Sequence, residues 1–114
     1  MIYFVLPAYN EEDSILYLLP RISEVMSNVD LDYKVIVCND GSNDNTLKNV
    51  EKFKNENYPV EIINHRINRG LAETMRDLME YIYFNANDSD LVVRMDCDDT
   101  HHPKYILKML DKIK

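Results

Sequence analysis

Near the end of the chain, Asp96-Cys97-Asp98-Asp99 puts three carboxylates into four residues. Asp96 and Asp98 flank a single residue. Oxygen ligands on a short loop suit a hard divalent cation, Mg²⁺ or Mn²⁺. Two protein carboxylates leave positions for water and for the phosphate oxygens of a ligand. A cation there reverses the sign of a pocket that would otherwise repel a diphosphate. An aspartate-rich turn capping the following helix explains the same residues without a ligand, and spacing alone leaves both readings open. A calcium EF-hand loop does not fit. Counting from Asp96, the sixth residue is His101 rather than glycine, and the twelfth is Leu107 rather than glutamate.

Other residues with chemical capacity are scattered. Asp40 follows an apolar run and precedes Gly41. Its carboxylate could accept hydrogen bonds from a base or a ribose, or it could be a turn residue. Tyr9 offers a ring for stacking, and is equally read as a half-buried loop aromatic. Glu11 suits a helix start. Any one of Arg66, Arg69 and Arg76 could meet a phosphate, the others balancing the acidic surface. His101 and His102 precede Pro103 and read as a loop pair. Zinc does not fit, because Cys97 has no second cysteine nearby. Cys38 and Cys97 make no CxxC pattern and no disulfide framework. They read as small buried residues in a reducing cytosol. The chain has only two glycines, Gly41 and Gly70, which excludes a Walker A loop and a GxGxxG fingerprint. A metal is then the more available means of holding phosphate.

The elements that must position these residues alternate in period. Residues 2–6 are an unbroken apolar run, as in a strand buried on both faces. Residues 13–27 carry Ile15, Leu18, Leu19 and Ile22 at helical spacing, with Asn10 or Asp13 as cap and Pro20 expected to kink or divide the helix. A second strand covers 33–38. Ser42 or Asp44 then caps a helix to about Asn55, with Leu47, Val50 and Phe53 facing inward. A third strand covers 60–64. The next helix spans 70–85 with Leu71, Met75, Leu78, Met79 and Ile82 as its inner face. A fourth strand, 90–95, delivers Asp96, and a last helix starts near Pro103.

This β-α-β-α-β-α-β-α order implies an α/β fold: a three-layer, Rossmann-like, mostly parallel sheet with helices on both faces. In the strand order 3-2-1-4, strands 1 and 4 flank a crevice at their carboxyl ends. Pro7-Ala8-Tyr9-Asn10-Glu11, Asn39-Asp40-Gly41-Ser42 and Asp96-Cys97-Asp98-Asp99 then converge on one pocket.

Composition narrows the function. The 114 residues suit one domain, and 46% apolar content supports a real core. A net charge of −7 argues against a nucleic-acid surface. Residues 88–99 hold five aspartates against one arginine. No apolar run approaches the roughly 20 residues of a membrane span. A receiver-like signalling domain would need an acidic pair after strand 1, where Pro7-Ala8-Tyr9 stands.

Four segments together resemble glycosyltransferase family 2, whose members have a GT-A fold. They are Val5-Leu6-Pro7-Ala8-Tyr9-Asn10-Glu11-Glu12, then Val35-Ile36-Val37-Cys38-Asn39-Asp40-Gly41-Ser42 with Asp44 and Thr46, then Asn68-Arg69-Gly70-Leu71-Ala72, then Met95-Asp96-Cys97-Asp98. With His101-His102-Pro103-Lys104, the last segment resembles the dolichyl-phosphate mannose synthase-like polyprenyl-phosphate sugar transferases. The resemblance implies that Pro7, Tyr9 and Glu11 form the first nucleotide-binding loop. It also implies that Cys38, through its backbone, and Asp40 hold base and ribose. Asp96, Cys97 and Asp98 match the DxD motif, in which Asp96 and Asp98 hold Mg²⁺ or Mn²⁺ and so the diphosphate. Asn39 departs from the usual first aspartate, and Cys97 from the usual small residue.

Residues 1–114 are therefore expected to be the nucleotide-sugar-binding part of a glycosyltransferase that transfers sugar with inversion. The acceptor half and catalytic base would lie beyond Lys114. The expected donor is a GDP- or UDP-sugar, and the expected acceptor a polyprenyl phosphate or a growing glycan. The cytoplasm, or the cytoplasmic face of a membrane, is the expected setting. A four-stranded piece with an exposed apolar edge is also expected to self-associate. The competing reading is a nucleotide-binding module without catalysis.

Overall fold

The computed structural model describes residues 1–96. Cys97, Asp98, Asp99 and the helix expected near Pro103 lie outside the described residues. Seven elements alternate: β1 (Ile2–Ala8), α1 (Glu12–Met26), β2 (Tyr33–Asp40), α2 (Thr46–Asn55), β3 (Val60–His65), α3 (Leu71–Asn85) and β4 (Leu91–Arg94). The strands form one parallel sheet in the order β3-β2-β1-β4, as the alternation of periods implies.

Strand alternation divides the core in two. Ile2, Phe4, Leu6, Val35 and Val37 pack with Ile15, Leu19, Ile22 and Val50 under α1 and α2. Tyr3, Val5, Ile36 and Cys38 pack on the other face against Leu78 of α3. Each fully buried aliphatic side chain contributes about 1.5–3 kcal/mol over exposure, so both layers are anchored. The parity that sends Ile36 and Cys38 toward α3 also sends Asp40 there, whereas Asn39 turns to the α2 side and donates to Asn64 Oδ1 at 2.8 Å.

β1 runs two residues further than its apolar run suggests, through Pro7. The Val5 carbonyl accepts from Met95 on the β4 side. By alternation Pro7 also turns toward β4, but pairing with β4 ends at Val5. Its missing N–H therefore costs no ladder bond. Beyond that point β1 and β4 separate, which opens the sheet at its carboxyl edge.

Four helix expectations need correction. Pro20 does not divide α1, which runs unbroken from Glu12 to Met26. Pro20 and Leu16, the residue whose carbonyl it cannot bond, are both on the exposed face. Neither Asn10 nor Asp13 caps this helix. Side chains of the β2–α2 loop and of the first residue of α2 do so: Ser42 Oγ accepts from the Asn10 amide, Thr46 Oγ1 from Glu11 and Asp44 Oδ2 from Glu12. The N-cap of α2 is Asn45, without a side-chain cap bond of its own, rather than the expected Ser42 or Asp44; Asp44, one residue earlier, accepts from the Thr46 amide at 2.9 Å. Finally, Leu71 is 57% exposed and Met79 is exposed as well. The inner stripe of α3 runs instead through Thr74 and Leu78, with Met75, Tyr81 and Ile82 at its margin. Two stripes with helical spacing lie side by side on α3, and the buried one contains a threonine.

Candidate functional site: a cleft at the carboxyl edge of the sheet

Where β1 and β4 part, a cleft of about 400 Å³ is lined by Pro7, Ala8, Tyr9, Glu11, Asp40, Asn68, Gly70, Leu71, Thr74 and Asp96. Its position outside the carboxyl ends of β1, β2 and β4, at the reversal in strand order, is where open α/β sheets bind ligands. Five of the eight residues singled out for donor binding meet here: Pro7, Tyr9, Glu11, Asp40 and Asp96. Cys38 does not line the cleft. It lies fully buried in the interior strand β2, and burial pushes its thiol pKa up to about 12, with Asp77 adding to the effect. Cys97 and Asp98 lie outside the described residues.

One wall is built around Asp40, which is 5% exposed. Its carboxylate accepts from His65 Nδ1 (2.9 Å), Asn68 Nδ2 (3.0 Å), the Arg69 amide (2.9 Å) and the Gly70 amide (3.0 Å). Four donors fill the acceptor capacity of a carboxylate. Burial opposes the charge, but His65 and the two amides outweigh it and hold the Asp40 carboxyl below its usual range. The loop after β3 is thus fastened to the end of β2. Gly41, at φ +68°, makes the close approach feasible, since a Cβ there would stand 2.2 Å from the Asn68 nitrogen.

Behind this wall lies His65, a residue the sequence did not bring forward. It is the last residue of β3, opposite Asp40 in register. Its Nε2 sits 2.6 Å from Asp77 Oδ2 on α3, so the ring lies between two carboxylates. Burial works against a charged ring, yet the bonds to Asp40 and Asp77 prevail and raise its pKa above the ordinary 6.5.

The other wall is open. Tyr9 is 44% exposed. Asp96 has its side chain 39% exposed, and its Oδ1 is 3.7 Å from Arg94. The Tyr9 ring could lie against a flat apolar group. Asp96 supplies a hard oxygen donor of the kind Mg²⁺ and Mn²⁺ take, and with Asp98 two residues on, the donor set suits such an ion. Among the described residues no group of three His, Cys, Asp or Glu converges as a complete metal site. Also among them, no helix is long and apolar enough to cross a membrane.

The sequence pattern of the family described as Glycosyl transferase family 2 matches residues 3–114. The undecaprenyl-phosphate 4-deoxy-4-formamido-L-arabinose transferase of Proteus mirabilis is 32% identical over 108 residues, which covers 93% of this chain and 31% of that protein. The chain spans about a third of the length of the curated relatives it matches. Among solved structures, S. aureus TarS in complex with UDP-GlcNAc superposes with a TM-score of 0.71 at 22% identity, covering 98% of this chain and 30% of that one. A mannosyltransferase of Pyrobaculum calidifontis, in complex with GDP-Man and Mn²⁺, gives 0.68 at 22% identity, covering 85% and 27%.

Proposed function

This chain belongs to glycosyl transferase family 2, and from that premise we propose that its cleft binds the nucleoside diphosphate sugar donor of a metal-dependent glycosyltransferase. The observation that carries the reading is the meeting of Pro7, Tyr9, Glu11, Asp40 and Asp96 in one cleft at the strand-order reversal. Tyr9 flanks the nucleoside. The backbone wall held by Asp40 gives it a fixed surface to rest on. Asp96 and Asp98 would hold Mg²⁺ or Mn²⁺, an ion that would offset the charge of the diphosphate. The bound cation supplies a counter-charge for the departing diphosphate.

In the reaction, an acceptor oxygen attacks the anomeric carbon as its bond to the β-phosphate oxygen breaks, and the configuration inverts. The Pyrobaculum enzyme's complex with GDP-Man and Mn²⁺ and that of TarS with UDP-GlcNAc support a nucleotide-sugar donor with a divalent ion. The name of the Proteus relative supports a polyprenyl phosphate as one acceptor class.

Replacing Asp98 by alanine tests the assignment. Calorimetric titration with UDP and with GDP in Mn²⁺ is expected to show binding by the unaltered protein and none by Asp98→Ala. Unchanged affinity in the variant would remove the acidic loop from the site.

A further inference from the structure

The cleft's closed wall depends on a residue that does not touch the cleft. His65 is 5% exposed and spans two elements on opposite sides of the ring. Nδ1 faces Asp40 at the end of β2, and Nε2 faces Asp77 on α3. A neutral imidazole has one N–H and one lone pair. With either tautomer, a lone pair would point at a carboxylate oxygen less than 3 Å away. With both carboxylates ionised, only the ring protonated at both nitrogens satisfies both partners. The Asp40 oxygen it fixes, Oδ1, is the one that accepts from the Arg69 amide. The other, Oδ2, accepts from Asn68 and Gly70, and Asn68 and Gly70 line the cleft.

We propose that His65 is a positioning residue for the donor site: as an imidazolium bridging Asp40 and Asp77, it ties β2 to α3 and fixes the Asn68-Arg69-Gly70 wall on which a nucleoside diphosphate rests. This rests on the donor-site reading above.

The groups facing the ring are few. From β2 come Asp40 and the Cys38 thiol, whose Sγ is 3.7 Å from Nε2 and whose raised pKa keeps it neutral. From α3 comes Asp77. The Arg69 guanidinium belongs instead to Glu73, at 3.9 Å. With both carboxylates ionised the trio carries a net −1 when the ring is protonated and −2 when it is not. Because the folded pKa is raised, the contribution of the bridge is complete below the ordinary 6.5 and is lost as pH rises through the raised value.

Two measurements test this. In ¹⁵N–¹H correlation spectra of the imidazole, both His65 ring nitrogens should be protonated near neutral pH. A neutral tautomer there would overturn the bridge. Second, UDP and GDP affinity in Mn²⁺ is followed between about pH 6 and 8.5 for the unaltered protein, Asp77→Asn and His65→Gln. The unaltered protein should lose affinity as the ring deprotonates, and Asp77→Asn should move that loss to lower pH. His65→Gln should bind about tenfold more weakly at the acid end and show no such limb. An Asp77→Asn profile coincident with the original, or a His65→Gln protein binding normally, would contradict the proposal. If the unaltered protein binds neither nucleotide, the donor-site reading fails instead. The bridge is then judged by the ring spectra and by Arg69 and Gly70 amide exchange, which must accelerate in Asp77→Asn.

Discussion

The two walls of the cleft are made from similar residue types and have opposite fates. On the β2–β3 side, Asp40 is buried and all of its acceptor capacity goes to His65, Asn68, Arg69 and Gly70. On the β1–β4 side, Tyr9 and Asp96 stand half in water. One wall is finished by the fold. The other has a half-exposed ring and a half-exposed carboxylate that stands 3.7 Å from Arg94, and it is the side on which the proposed ligand and cation would act. An aspartate at a strand end is therefore not by itself a ligand contact. What matters is how many donors the fold already aims at it.

Substitutions on the two sides should separate stability from binding. The largest effect is expected from Asp40→Ala, which would strand a buried imidazolium and three N–H donors. A loss of about 3–5 kcal/mol in urea unfolding is expected, and nucleotide binding should go with it. A loss under about 1 kcal/mol would mean that the wall does not depend on that carboxylate. Tyr9→Ala sits at the other extreme. Its stability should stay within about 0.5 kcal/mol, while affinity for UDP or GDP in Mn²⁺ falls about tenfold by loss of the ring contact. A destabilised Tyr9→Ala with normal binding would reverse the comparison.

Much of the arrangement was legible in the sequence, and the gaps have physical causes. The alternation of a period of two with one of 3.6 gave the element order, and crossover geometry gave the parallel sheet; the strand order 3-2-1-4 was a premise, which the structure bears out. The convergence of the loops at Pro7, Asp40 and Asp96 followed from that order. Where the sequence failed was in pairings between distant residues. Nothing local indicates that Asp40 and His65 end adjacent strands in register, or that Asp77 on α3 reaches the same ring. The caps of α1 were hidden for the same reason. Asp44 and Thr46 look like features of the following helix alone, but they also bond the amides of Glu12 and Glu11. On α3, the buried stripe includes Thr74, so an apolar count favoured Leu71 and Met79, which face outward. Leu71 lines the cleft instead.

The central claim is that the open wall takes a nucleoside diphosphate through a cation. The most direct measurement is calorimetric titration of the unaltered protein with UDP and with GDP, once in Mn²⁺ and once in EDTA. Saturable binding of one nucleotide in Mn²⁺, weakened about tenfold or more in EDTA, is the expected result. Equal affinity in both conditions, or no binding in either, would contradict it.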